Sequence, residues 1–440
     1  MDHFEKLSDE IVLQVFERLN WQQMVRIRGT CQRFRQLSDD KVLWHNHYRS
    51  SQQLLMTPKA SQKSDYRSLY RISRNWSVGR ASSASVTTTS DAQLLTQLHG
   101  HYVFSTYRKS SVLAVHSFNS KDVEQELTED SIVAEFNMKP IADISVDRNT
   151  SSHSDEAIRL SVSFVDKSFR ICDFKVQSRE LNVLHLHRKP RIDAQYETVQ
   201  YTSLNSPYYV TCTDRFRLAI YHISNQPKLI QTYSSTTAYH PASLHIDHGS
   251  SSVVVAYVIP SFPSIYSIGV QTFPLRFGDC LYTNANKDVA IAQRTSRVLD
   301  IAISSNGRWI ALGRDDNAIE VFELTARISE HSKQPVKPKH LSLRLHTTLN
   351  GHNCATSSVA VADDRCVTGD VRGDIKIWNL NPRRGVQDIS KPYDFAESRG
   401  VTLREHPPMP GMSVKQLSFD NTSVLSVTKG FMRVYKFDAA

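Results

Sequence analysis

The sequence predicts a mainly β protein: a ring of repeated strand units closed into a seven-bladed propeller, preceded by a small all-α module. Three observations lead there. The first 50 residues carry apolar side chains at spacings of three and four, the period of a helix buried along one stripe. From about residue 95 the period drops to two, with short polar turns between apolar strands. That strand, turn, strand pattern then recurs seven times before residue 440, about 49 residues apart, near the length of a four-stranded blade with its loops.

Taken in order, Leu7, Ile11, Val12, Val15, Phe16 and Leu19 define a helix over residues 7 to 19, with Ser8 as its N-cap. Asp9 and Glu10 fall in the first turn, where the helix dipole favours anions. A second, Gly-interrupted helical stretch places Val25, Ile27, Cys31, Phe34 and Leu37 at helical spacing, and a third short piece ends in Val42, Leu43 and Trp44. Three helices of this size bury little surface by themselves, so the module predicts a partner. The helical domain is placed at 1–48 and a partly helical linker at 49–92, ending in the Ser/Thr-dense loop ASSASVTTTSD. The propeller is placed at 93–440. Its clearest repeats are RLSVSFVDKSFRICDF, YYVTCTDRFRLAIYHI, WIALGRDDNAIEVFEL, RCVTGDVRGDIKIWNL and SVLSVTKGFMRVYKFD; YVFSTYRKSSVLAVHSF and SVVVAYVIPSFPSIYSIGV are weaker copies. Closure into a propeller also removes the long exposed edges that a single open sheet of so many strands would carry.

These residues carry a family resemblance. LSDEIVLQVFERL followed by VRIRGTCQRFRQLSDDKVLW resembles an F-box, and GHNCATSSVAVADDRCVTGDVRGDIKIWNL resembles a WD repeat with its GH pair and terminal Trp378. VLDIAISSNGRWIALGRDDNAIEVFEL is similar, with Asp316 at the turn and Phe322 in place of the Trp, and RNWSVGR resembles the segment leading into the propeller. The chain thus resembles F-box/WD-repeat proteins, the substrate receptors of SCF (Skp, cullin, F-box) ubiquitin ligases. The resemblance implies a WD-repeat-like propeller and an F-box that docks on a Skp-type adaptor, which ties it to a cullin and a RING subunit. The propeller would then hold a protein substrate for ubiquitination and proteasomal degradation. The alternative within the same family is a non-degradative interaction scaffold. The adaptor contacts it implies are Leu7, Ser8, Ile11, Val15, Leu19 and Met24, with Trp44 packing the module. Two departures stand out: Ser8 occupies a position usually held by Pro, and Arg372 the usual turn Asp, so the buried polar network of that repeat is expected to be non-standard.

By the family's geometry the turns after the second strand of each repeat share one rim. Six of the seven carry a basic residue: Arg108, Lys167, Arg215, Arg314, Arg372 and Lys429. One reading is that exposed turns favour long polar side chains; the other is a basic mouth for an acidic or phosphorylated peptide, since guanidinium groups hold such oxygens bidentately.

Composition narrows the function classes. Hydrophobic residues are 40% and charged residues 22%, ordinary for a globular chain and unlike a disordered one. The net charge of +9 resides mostly in residues 1 to 80, with 14 basic against 8 acidic side chains, leaving 39 against 36 for the rest, which argues against nucleic acid as a ligand. The six cysteines form no CxxC pair, as expected for a reducing compartment. The acidic N-terminus is unlike a secretory signal and the best apolar run, Val253 to Ile259, is too short for a membrane span, so a soluble protein of the cytoplasm or nucleus is expected. HSKQPVKPKH, residues 331 to 340, reads as a surface loop and a weak nuclear localisation signal. His45 with His47 and His185 with His187 form HxH pairs without a third ligand at a diagnostic spacing, so neither metal nor cofactor is expected. With no GxSxG elbow, phosphate loop or HExxH, no catalytic residue is assigned.

Overall fold

The structure, a computed structural model, describes residues 7–50, 65–87, 93–118, 132–147, 157–188, 197–224, 226–234, 241–247, 252–261, 265–275, 289–327, 340–362, 364–380, 400–403 and 412–438. Most of the 331–340 stretch lies outside the described residues. Among the described residues there are five helices, α1 to α5, and 28 strands, β1 to β28 in chain order.

The module has four short helices where the sequence predicts three: α1 (Asp9–Phe16), α2 (Trp21–Arg28), α3 (Gln32–Ser38) and α4 (Lys41–Ser50). Gly29 ends α2 and separates it from α3, and Val42, Leu43 and Trp44 begin α4 rather than ending an element. Asn20 and Gln23 form a reciprocal capping box at the start of α2. Ser8 has the extended backbone of an N-cap, but its side chain makes no capping bond to the helix. Val12, Phe16, Met24 and Leu43 form the core, with Phe34 edge-on to Phe16 at 5.4 Å. The Trp44 indole N–H donates to the Ser38 carbonyl at 2.6 Å, so its polar edge is satisfied inside the module.

The remaining strands form seven antiparallel four-stranded sheets, the blades: 1 (94–137), 2 (141–187), 3 (199–234), 4 (241–294), 5 (298–350), 6 (356–402) and 7 (414–436). Each quoted repeat supplies the two middle strands of one blade. Seven apolar clusters hold the ring, one at each blade-to-blade seam. Phe104 of blade 1 meets Phe174 of blade 2, and Trp309 of blade 5 shares an apolar cluster with Trp378 of blade 6. Alternating strands with one large side chain facing each seam produce this pattern.

Blade 7 corrects the predicted boundary. Its fourth strand is β1 (Ser82–Thr87), which pairs antiparallel with β28 (Phe431–Lys436), Ser82 opposite Lys436 and Thr87 opposite Phe431. The ring therefore begins at residue 82, inside the stretch expected to be linker. Ser and Thr read as loop, but on a half-exposed outer strand they satisfy both solvent and ladder.

The same stretch carries α5 (Tyr66–Val78), which packs against α4 and the propeller. Trp76, 1% exposed, stacks on Phe437 at 3.8 Å, takes the Arg365 guanidinium on its ring at 3.7 Å, and donates to the Asn421 carbonyl at 2.9 Å. The Asn75 amide donates to the Phe437 carbonyl at 2.8 Å. Toward the module, the Arg74 guanidinium lies 3.5 Å from the centre of the Trp21 ring. Gly79 then turns the chain at φ +66°, where a Cβ would sit 2.6 Å from the Thr402 carbonyl oxygen.

Candidate functional site

Two surfaces concern function, one on the helical module and one on the propeller rim away from it. On the module, the 7–19 stripe divides. Val12 and Phe16 are buried, whereas Ile11 and Val15, one helical turn apart, are 46% and 42% exposed. Leu7 and Leu19 are half-buried against the core and Ser8 is exposed. Met24, expected as a contact, is 1% exposed and belongs to the core, because α2 turns it beneath α1. Val25, beside it, is 49% exposed and was missed; on a short helix the stripe does not say which of two adjacent apolar residues faces out. Arg33 fixes the start of α1, donating to the Leu7 carbonyl and to Asp9, so the exposed pair sits on a braced helix. Glu10 is held below its ordinary carboxylate range by bonds from its own N–H and from Ser8.

On the propeller, the turn between second and third strands of a blade lies on the same rim as the connections between blades, as antiparallel meanders require. Arg108, Lys167, Arg215, Arg314, Arg372 and Lys429 occupy these turns, or the strand end beside one, in six blades. The α5 contacts Asn421, Arg365 and Phe437 lie at the opposite strand ends, so the six residues lie on the rim away from the module.

Their states differ. The Arg108 guanidinium of blade 1 reaches blade 3 and donates to the Gln200 side-chain and main-chain oxygens at 2.7 and 2.9 Å. Arg314 is closed in by Glu320 at 2.7 Å and by Asp316. Both are engaged within the propeller. Lys167 is half-buried in a left-handed turn, while Arg215, Arg372 and Lys429 are exposed. Arg297, exposed in the connection into blade 5, joins them on this rim. Asp166, Asp214, Asp315 and Asp374 share the same turns, so the rim is mixed in charge rather than uniformly basic.

Below the rim, the innermost strands present two half-buried carboxylates. Asp143 of β6 (Ile141–Val146) accepts from the Thr202 N–H at 2.6 Å and its hydroxyl at 2.9 Å, joining blades 2 and 3. Asp300 of β18 (Val298–Ile303) accepts from the Val359 N–H at 2.7 Å, joining blades 5 and 6. Burial pushes each carboxyl up to about 6, against the hydrogen bonds that pull it down. Each follows a bulge in its strand, a register detail with no sequence signal.

Blade 6 builds its buried network with Asp370 in place of a carboxylate at the turn position that Arg372 occupies. His352 contacts Thr368 Oγ1 at 2.7 Å and Asp370 at 3.3 Å, and the Trp378 indole donates to Thr368 Oγ1 at 2.8 Å. Asp370, two residues before Arg372, accepts the N–H groups of Arg372 and Asp374. Burial alone would raise its carboxyl, but the bonds from His352 and these amides outweigh that and hold it below its ordinary value.

The HxH pairs have other surroundings. His45 and His47 lie on α4, where residues two apart diverge, and face Tyr66 and Tyr70; His187 stacks on Phe169 at 4.7 Å. Among the described residues no group of three or more potential ligands gathers, and no helix is long and apolar enough to cross a membrane.

Comparison with known proteins assigns the two parts. Residues 5–50 match the family described as F-box-like, and residues 79–292 match the family of the β-propeller of the F-box protein pof12. No curated protein matches the sequence. Among solved structures, the chain is similar to the β-propeller domain of Cps50 (Swd1) from Myceliophteria thermophila, at 10% identity and a TM-score of 0.48, over 80% of this chain and 99% of that one.

Proposed function

We propose that this F-box protein with its seven-bladed β-propeller serves as the substrate-recognition subunit of an SCF-type ubiquitin ligase. The observation that carries this reading is the divided stripe of α1: Val12 and Phe16 build the module while Ile11 and Val15 face solvent one turn apart, an apolar pair suited to a Skp-type adaptor. Through the adaptor the chain joins a cullin and a RING subunit. Helix α5, wedged between module and propeller by Arg74 on Trp21 and by Trp76 on Phe437, holds the two at a fixed spacing.

The propeller then offers a protein substrate the rim away from the module, through Arg215, Arg297, Arg372 and Lys429. In this role the chain is non-catalytic. It raises the effective concentration of substrate lysines at the ubiquitin-conjugating enzyme and leaves the chemistry to that enzyme. The test is copurification of adaptor and cullin with the intact chain and with Ile11→Asp/Val15→Asp. Both substitutions fall on exposed positions, so circular dichroism should be unchanged while both partners are lost. Retention of the adaptor by the folded variant rejects the docking surface, and no association with the intact chain rejects the reading.

A further inference from the structure

The outermost strand of blade 2, β9 (Glu180–His187), is at odds with its position. Outer strands face solvent, and those of blades 1 and 3 present at most one exposed large apolar side chain, Leu229 of blade 3. Strand β9 presents three: Val183, Leu184 and Leu186, at 49%, 42% and 52% exposure. It ends its sheet, and among the described residues no strand pairs with its outer edge, so alternate N–H and C=O groups point outward. A bulge against its inner neighbour, between Ile171 and Cys172, brings Val183 and Leu184 forward as consecutive exposed residues. Leu181 packs into the seam with blade 1 and His187 stacks on Phe169, so the strand is anchored at both ends.

Charge selects the occupant. Lys175, Arg179 and Arg188 are exposed around the strand, against Glu180 alone, while Asp173 is taken by Arg159 at 2.9 Å. A second copy fits poorly: antiparallel self-pairing centred between Val183 and Leu184 would set Arg179 opposite Arg188 of the second copy at each end, and like charges in that position are destabilising. We infer that β9 is a strand-addition site for an extended acidic segment of a partner protein, one that alternates apolar and carboxylate side chains. The surface lies at the periphery of blade 2, so such a partner and a rim-bound substrate can be held at once, and the inference stands apart from the adaptor reading.

The test uses the full chain and a fluorescein-labelled nine-residue peptide of alternating Glu and Val, with two controls: Lys in place of Glu, and Pro in place of the central Val. Anisotropy should show saturable binding of the acidic peptide, weakened about tenfold or more in both controls, because one loses charge complementarity and the other a ladder hydrogen bond. Leu184→Glu/Leu186→Glu, on exposed positions, should abolish binding while leaving the melting temperature unchanged. No binding to the intact chain, equal binding of the Lys or Pro peptide, or equal binding by the double variant overturns the inference. A concentration-dependent dimer in sedimentation that the double variant abolishes assigns the strand to a second copy instead, and also overturns it.

Discussion

Asp143 and Asp300 are the residues whose position carries the clearest pH consequence. Each carboxyl stands near 6 in the fold because burial outweighs its hydrogen bonds. A raised carboxyl binds its proton more tightly in the folded state than in the unfolded one. Its contribution therefore favours folding below the unfolded value near 4 and is lost as pH climbs through about 6, by about 3 kcal/mol at most per group. His116, buried against Ser105 and pushed down to about 4, has the opposite sign and loses stability as pH falls from 6.5. The two effects oppose one another in the intact chain, so the informative quantity is a difference. Whatever the fixed cost of Asp300→Asn, its stability relative to the parent should rise between pH 5 and 7.5 in chemical denaturation; a constant difference removes burial as the cause. The rim arginines separate in the same way. Arg314→Glu places a third carboxylate beside Asp316 and Glu320 and should cost about 3 kcal/mol or more in the same assay. Arg215→Glu/Arg372→Glu, at exposed positions, should stay within about 0.5 kcal/mol of the parent per site while weakening capture of an acidic substrate in a pull-down.

At the scale of elements, α5 and β1 tie the two parts together. Trp76→Ala removes the stack on Phe437, the support of Arg365 and the bond to Asn421, and should cost about 3–5 kcal/mol in unfolding, with loss of protease resistance at the α5 segment. A chain begun at residue 93, the boundary the sequence suggests, lacks β1 and leaves β28 without its outer partner; it should melt well below a chain begun at 65 and aggregate on concentration, whereas equal melting would show the closure to be dispensable. The difference between those two boundaries marks what could be read in the residues. The middle strand pair of every blade was legible, since both of its strands are flanked by protein and read as apolar alternation. Strand β1 was not, because a half-exposed outer strand leaves SSASVT with no apolar period. Within the module the stripe locates α1 but does not tell Met24 from Val25, and in blade 6 the Arg372 at the turn does not disclose that Asp370 supplies the carboxylate.

For the whole molecule, the seven seams distribute the core around the ring, and cross-blade bonds such as Asp143 to Thr202, Asp300 to Val359 and Ser357 to Val414 link the inner strands. No blade completes its core alone, so each borrows a face from its neighbour. The junction between first and last blades depends on Ser82 meeting Lys436, 354 residues later in the chain. A ribosome adding about 5–20 residues per second needs roughly 20 to 70 s to deliver that partner. During this interval β1 is already made, its ladder groups have nothing to pair with, and the early blades have one seam uncovered. The strand that seals the finished ring is thus, while the chain is being born, its longest-waiting sticky edge.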